Sequence, residues 1–508
     1  MQILDSLLRK RFLFFLFLII AGQQVLFYLF QNFHAEDAYI LYRYVRNFIN
    51  GEGLVYNAGE YILALTSPLH ALVLSCLSIF NLEPAFMNRI LLWATLVFLT
   101  FRGVYFLMDS PRKQILFGLS VGLSPFLVFW SLGGLETILI AAVILEFTHA
   151  SIQAIDQKKT RINIFFLAAI AFLLRYDTAV YTSIIILFLL IKNRVRFDLS
   201  ILPAVLIVSA WLLFALSYYH NILPTSFFIK TPSFGLSGAI NNGIYLIQFW
   251  VLSACIVLIQ FRLPSHKLTP ILAGIIAVFA YGLTCATTHM FFGYRMILPY
   301  LPALILFAII AFDAETKYFM ARVIMIIGIH IFVTSWMLQV CIDPRLPFVQ
   351  ADFSPRQRSV EEYHQFMMIL DKGGQSIAKH TKSQTRTNKP KVVTFAGGYL
   401  PWRVPDAYVY ETLISYRSQC PIDRRLYERF ASASDYIHII FPLHGTPEKV
   451  LGHPLSHYEI VSSERTILDS KKETVYVLWN QWPVEMELPK YIDGSCQSGE
   501  KTSLIKNR

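Results

Sequence analysis

The segment HAEDAYILYRYVRNFINGEGLVYNAGEYILALTSPLH, His34 to His70, follows directly on a membrane-length apolar run and opens with an acidic pair, Glu36 and Asp37. If residues 36–50 form a helix, Ala38, Leu41, Val45, Phe48 and Ile49 make one apolar face. Glu36, Tyr39, Arg43, Asn47 and Asn50 then fall near another, the pattern of a helix lying along a membrane surface. The turn that follows, with Gly51, Gly53, Asn57 and Gly59, doubles the chain back and brings Glu60 toward the same region. Two carboxylates with arginines at helical spacing supply a base for a hydroxyl and a cation for a phosphate. The bland alternative is a solvated amphipathic loop that links two spans.

Working outward, the chain has 508 residues, of which 55% are hydrophobic and 15% charged. With a mean hydropathy of +0.50 it is too apolar for a soluble protein of this size. A polytopic α-helical membrane protein is expected. The net charge of +11 resides largely in short loops between apolar runs, where basic residues orient a protein in the bilayer, so no nucleic-acid binding is read from it.

Arg9, Lys10 and Arg11 before the run Phe12 to Phe30 give the charge and length of an uncleaved signal anchor. Further runs lie near 88–108, 115–131, 135–149, 162–174, 177–191, 199–219, 243–261, 269–287, 296–312 and 319–340. Leu69 to Phe80 follows the Ser67-Pro68 break and is too short to span comfortably, so it is expected to be re-entrant or interfacial. Without it about eleven transmembrane helices result. Alternation then puts the loops carrying Arg112 and Lys113, Lys158 to Arg161, Lys192 to Arg196, and Arg262 to Lys267 inside, as the positive-inside rule asks.

On that topology the chemically unusual loops share the extracytoplasmic face. They hold Glu36 and Asp37, Glu136 in LGGLET, Arg175 and Asp177 in LLRYDT, His220 and Lys230 in YYHNILPTSFFIK, and His289 and Arg295 in THMFFGYR. The chain has neither a GxxxxGK[ST] loop nor a GxGxxG after a strand, which leaves nucleotide chemistry without a foothold. A transferase facing outward must use a donor already carried on a lipid.

The first loop resembles that of GT-C type glycosyltransferases, and in particular the group of terminal arabinofuranosyltransferases of the mycobacterial cell wall. The matching positions are Glu36-Asp37, Tyr42-Arg43-Tyr44, Gly51, Gly53, Val55, Asn57, Gly59, Glu60, Thr66, Pro68 and Leu69. GGLET, LLRYD and YRMILPYLP resemble the later loop motifs in order and spacing, so the resemblance covers residues 1–340. It implies an inverting transfer of a single sugar, an arabinofuranose or another pentose, from a polyprenyl-phosphate donor to an envelope glycan or glycolipid. It also implies a multi-pass protein of the bacterial cytoplasmic membrane with its active face outside. Asp37 would be the base, and Glu36 would orient the acceptor, touch a donor hydroxyl or, with Asp37, hold a divalent cation.

Arg43, Arg175, Lys230 and Arg295 are the candidates for the donor phosphate; Tyr39, Glu60, Glu136 and Asp177 are those for the sugars. Snorkelling to lipid head groups is the ordinary alternative for the cations. His220 and His289 lack the paired spacing of a zinc site. Two other function classes fit a polytopic chain: a lipid-linked sugar flippase or transporter, and a polymerase or ligase acting on a polyprenyl-diphosphate oligosaccharide. A transporter would carry its charges deep in its spans and show an internal repeat.

Residues 341–508 read as a second, extracytoplasmic domain of mixed α/β type. VVTFAGG, DAYVYETL, DYIHIIF, YEIVSS and TVYVLW are strand-like, VEEYHQFMMIL and RRLYERFAS helical, and Lys379 to Lys391 a mobile loop. Cys76, Cys255 and Cys285 fall in apolar segments, while Cys341, Cys420 and Cys496 would allow one disulfide outside.

Overall fold

The structure is a computed structural model. It describes residues 2–79, 82–156, 163–195, 198–229, 236–258, 268–284, 294–311, 318–338, 360–383, 389–394, 397–411, 434–441, 459–468, 471–479, 490–492 and 495–497. In chain order the α-helices begin α1 (Gln2–Leu29), α2 (Ala38–Ile49), α3 (Pro68–Ser78), α4 (Pro84–Phe106), α5 (Pro111–Phe117), α6 (Pro125–Leu132) and α7 (Thr137–Ile155). They continue α8 (Ile164–Leu174), α9 (Ala179–Ile191), α10 (Leu202–Tyr219), α11 (Thr225–Ile229), α12 (Leu236–Leu252), α13 (Cys255–Leu258) and α14 (Thr269–Thr284). The last are α15 (Leu301–Ala311), α16 (Phe319–Met337), α17 (Val360–Ser383) and α18 (Tyr399–Arg403).

Proline starts four of these helices. Pro68, Pro84, Pro111 and Pro125 each sit in the first turn, where a missing N–H costs nothing and the fixed φ suits a helix. After α5 the backbone widens into a π-turn at Gly118–Gly122, and α6 leaves at 46°. Among the described residues five helical segments are long and apolar enough to cross a membrane: Phe12–Leu29, Pro84–Phe106, Thr137–Ile155, Leu199–Tyr219 and Phe319–Met337. The bent pair makes a sixth. The remaining expected spans fall on apolar helices of 10–17 residues, and length alone identifies up to six crossings among the described residues. Short 3₁₀ turns at Tyr176–Thr178 and Leu298–Tyr300 interrupt these runs. The protein is a multi-pass membrane protein.

Contacts divide the chain into two units. Unit 1 holds Met1–Ala35, Ser67–Leu212 and Pro232–His364. Unit 2 holds Glu36–Thr66, Leu213–Thr231 and Gln365–Arg508, so the first loop groups with the C-terminal region. In unit 1, α7 is buried along most of its length, while α1, α4 and α16 present many large apolar side chains outward, as helices facing lipid do. A bidentate pair between Arg102 of α4 and Glu146 of α7 links these two helices.

Unit 2 contains a five-stranded mixed sheet of β1 (Lys391–Val393), β2 (Tyr408–Tyr410), β3 (Tyr436–Phe441), β4 (Glu459–Leu468) and β5 (Lys471–Trp479). The strand order is β2-β1-β3-β5-β4, with β1 parallel to both neighbours and the other pairs antiparallel. β6 (Lys490–Ile492) and β7 (Ser495–Gln497) form a separate antiparallel pair. Each strand-like motif falls on a strand, and VEEYHQFMMIL opens α17; RRLYERFAS lies outside the described residues. The expected loop from Lys379 is corrected in part: Lys379–Ser383 completes α17, and Lys391 begins β1.

Candidate acid-pair site

The helix expected over residues 36–50 spans Ala38–Ile49, with Asp37 at its N-cap. Asp37 makes no side-chain capping bond, so its carboxylate is not spent on the helix that follows. Glu36 is held differently. Its Oε1 accepts the backbone N–H of Gly398 and that of Tyr399, the latter at 3.1 Å. These donors open α18, and Gly398 is required there because a Cβ would lie on the Glu36 carbonyl oxygen. Burial first, then the neighbouring Asp37 charge and Glu411, push the Glu36 carboxyl up to about 8, against the two N–H groups. The charged form of Glu36 is therefore disfavoured beside Asp37.

Partly exposed aromatic rings stand beside the pair. Tyr39 meets Tyr399 edge-on at 4.6 Å and Trp402 at 5.9 Å, and Arg46 stacks over Trp402 at 4.1 Å. Asp371 accepts from the Tyr399 hydroxyl at 3.0 Å and from Arg403, which fixes α18 against α17.

The rest of the loop motif is occupied with architecture. Arg43, expected on a polar face toward a phosphate, is 2% exposed. Its guanidinium donates to the carbonyls of Tyr56 at 2.8 Å, Pro401 at 3.0 Å and Ala407 at 2.5 Å. The Asn57 side chain binds Val409 on both sides, donating to its carbonyl at 3.0 Å and accepting its N–H at 3.1 Å. Glu60, expected to touch sugar, accepts from Asn57 at 2.8 Å and from the Tyr408 hydroxyl at 3.0 Å. Phe48, assigned to the apolar face, is 45% exposed, whereas Tyr42 and Tyr44 are fully buried. The helix is buried on the side that carries Arg43 because the backbone there offers carbonyls to satisfy its charge.

A second charged cluster lies in unit 1. Glu136, 1% exposed at the start of α7, has Arg295 Nη2 at 3.3 Å and Arg175 Nη1 at 4.0 Å. Arg175 also donates to Asp177 at 2.6 Å and to the Met296 carbonyl at 2.9 Å. Burial alone would raise the Glu136 carboxyl, but Arg295 and Arg175 outweigh it and hold it below the usual carboxylate range. Behind it a buried chain runs from His70 to Asn88 at 2.7 Å and on to the Gly134 carbonyl at 2.7 Å. The structure thus brings Glu136, Arg175, Asp177 and Arg295 together in one unit, and Glu36, Asp37, Tyr39, Arg43 and Glu60 in the other. Lys230 and His289 lie outside the described residues. His220 sits exposed in a bend with φ of 57°.

No family model matches the chain, and no curated protein matches its sequence. Among solved structures it is similar in fold to ArnT. The crystal structure of ArnT from Cupriavidus metallidurans bound to undecaprenyl phosphate aligns with a TM-score of 0.56 at 13% identity, over 91% of this chain and 97% of that one. The apo state of ArnT aligns with the same score and coverage at 12% identity. The likeness is one of fold.

Gly398, Tyr399 and Trp402, which complete the acid-pair site, were not singled out from the sequence. The available signal was the Gly397-Gly398 pair between a strand-like run and a short helix. A divalent cation at the pair would compete with the two N–H groups that Glu36 Oε1 already accepts. Among the described residues no group of three or more His, Cys, Asp or Glu side chains is arranged to hold a metal.

Proposed function

We propose that the protein is an inverting glycosyltransferase that moves a single sugar from a polyprenyl-phosphate donor to an envelope glycan or glycolipid. The fold likeness to ArnT, a protein crystallised with undecaprenyl phosphate, supports the lipid-linked donor. The observation that carries the reaction is the acid pair itself, in which the Glu36 carboxyl is held by two backbone N–H groups and Asp37 follows it at the N-cap of α2, with no capping bond to that helix. Asp37 accepts the proton of the acceptor hydroxyl as that oxygen bonds to the anomeric carbon. The bond from this carbon to the donor's phosphate oxygen breaks on the opposite face, its electrons leave with the phosphate, and the configuration inverts. Protonated Glu36 donates a hydrogen bond to a sugar hydroxyl and spares Asp37 a second adjacent negative charge.

The leaving phosphate needs cations. Arg175 and Arg295, with Lys230, serve that role in this reading; Arg43 does not, because its guanidinium is spent on carbonyls. Arg175 Nη1 has no hydrogen-bond partner within the described residues, which suits an oxyanion acceptor. Tyr39 and Glu136, with Asp177, contribute to the sugar sites. The first-loop resemblance favours a pentose such as arabinofuranose, and with it a bacterial cytoplasmic membrane location with the site and the C-terminal region outside.

Asp37→Asn should lower turnover ~10²- to 10⁴-fold with donor binding retained, because an amide cannot take the proton. The assay compares monophosphate- and diphosphate-linked polyprenyl sugars. Turnover within a few-fold of wild type would remove Asp37 as the base, and exclusive use of diphosphate donors would favour a ligase.

A further inference from the structure

A groove of about 200 Å³ runs between α1 and α4 in unit 1, lined by Gln24 and Phe27 on one side and Phe86, Arg89, Ile90 and Trp93 on the other. Its rim faces outward, with Phe86 56% and Ile90 45% exposed. Polar groups in such a place need an account, since hydrocarbon offers them no partner. The Trp93 Nε1–H is buried and has no acceptor among the described residues, and an indole nitrogen can only donate. Arg89 reaches just the Gln31 carbonyl, at 3.4 Å, and no carboxylate in the described residues pairs with it. Arg89 and Trp93 stand four residues apart on one face of α4, roughly 6 Å along its axis.

We propose that this groove seats one anionic glycerophospholipid of the surrounding bilayer. Its phosphodiester pairs with Arg89, an ester carbonyl accepts the Trp93 N–H, the Gln24 amide donates to the same ester region, and one acyl chain lies along Phe27, Phe86 and Ile90. The order of groups selects the occupant. A glycerophospholipid carries ester acceptors just below its phosphate, at the depth of the indole N–H. A polyprenyl phosphate is hydrocarbon from the phosphate down and would leave that donor unsatisfied. The site is therefore separate from the proposed donor site and does not depend on the reaction assigned above.

The test is native mass spectrometry of the full-length protein after detergent exchange and titration with phosphatidylglycerol, phosphatidylethanolamine or undecaprenyl phosphate. Wild type should retain one phosphatidylglycerol per chain in preference to the other two. Trp93→Phe, which keeps the ring and loses the donor, should weaken retention by about tenfold, the scale of one buried hydrogen bond. Arg89→Ala should weaken it further, and Arg89→Lys should restore most of it, which separates loss of charge from misfolding. Retention of no lipid by wild type, equal retention by Trp93→Phe and wild type, or preference for undecaprenyl phosphate would each overturn the proposal.

Discussion

The two charged regions of this molecule use their ions in opposite ways. In unit 2 the buried cation Arg43 faces backbone carbonyls and no carboxylate accepts from it in the described residues, so its charge is dispersed over peptide dipoles. In the unit 1 cluster the arginines face carboxylates at 2.6 to 4.0 Å, and Arg175 Nη1 has no hydrogen-bond acceptor among the described residues. A cation saturated by backbone is fixed in place and closed to ligands. A cation balanced by side chains at long distance can exchange partners, as a phosphate site requires.

After the loss at Asp37→Asn, the largest effect expected from disturbing either region lies at Gly398. Gly398→Ala places a methyl on the Glu36 carbonyl and shifts the acid pair, and displacements of about 1 Å at a reacting group cost on the order of 10²-fold in turnover. Steady-state kinetics should show this loss mainly in kcat. Unchanged kcat would mean that α18 does not set the position of the pair.

Next come Arg43 and Glu136, which ought to fail in different assays. Arg43→Ala removes the Ala407 carbonyl's donor, at about 1–3 kcal/mol for a buried group left unpaired, and one of two donors from the Tyr56 and Pro401 carbonyls, which keep Asn47 and the Val404 N–H. Protease resistance of the first loop and the C-terminal region should fall together. Glu136→Gln instead removes the counter-charge of Arg175 and Arg295, so binding of a polyprenyl-phosphate donor should tighten while turnover falls. If Arg43→Ala spares protease resistance but abolishes donor binding, the roles assigned to the two regions are reversed.

The smallest effect concerns pH. Because the Glu36 pKa is raised from 4.5 to about 8, the folded state binds more protons than the unfolded chain between those values. Its contribution is thus fully present below the ordinary carboxylate range and is lost as pH rises through the folded value. Wild-type thermal stability should decline toward pH 8 relative to Glu36→Gln, which has no proton to lose. Parallel pH profiles of the two proteins would show that Glu36 is not the group holding the proton.

Much of this was legible in residue order. The apolar runs located the helices, and alternating β-branched and aromatic residues located the strands of the C-terminal sheet. Span length was less readable, since hydropathy reveals neither the bend between α5 and α6 nor the 3₁₀ turns that lead into α9 and α15. The site was legible in part. Glu36 and Asp37 could be picked out by their position after the first span, but helical spacing could not show which face of α2 is buried. Arg43 lies on the buried side because its partners are carbonyls, two of them more than 350 positions away in sequence, and a carbonyl is present at every residue. Gly398 was hidden for a related reason: its contribution is a backbone N–H, which leaves no chemical signature in a side chain.

Asn57 has a consequence for the chain as a biochemical object. By binding Val409 through both its amide groups it completes the outer edge of the sheet at β2, where the order β2-β1-β3-β5-β4 leaves no further strand. A fragment starting at residue 360 would bare that edge, with its hydrogen-bonding groups free to pair with another copy. Such fragments should self-associate in solution, and a synthetic peptide spanning residues 51–62 should keep them apart.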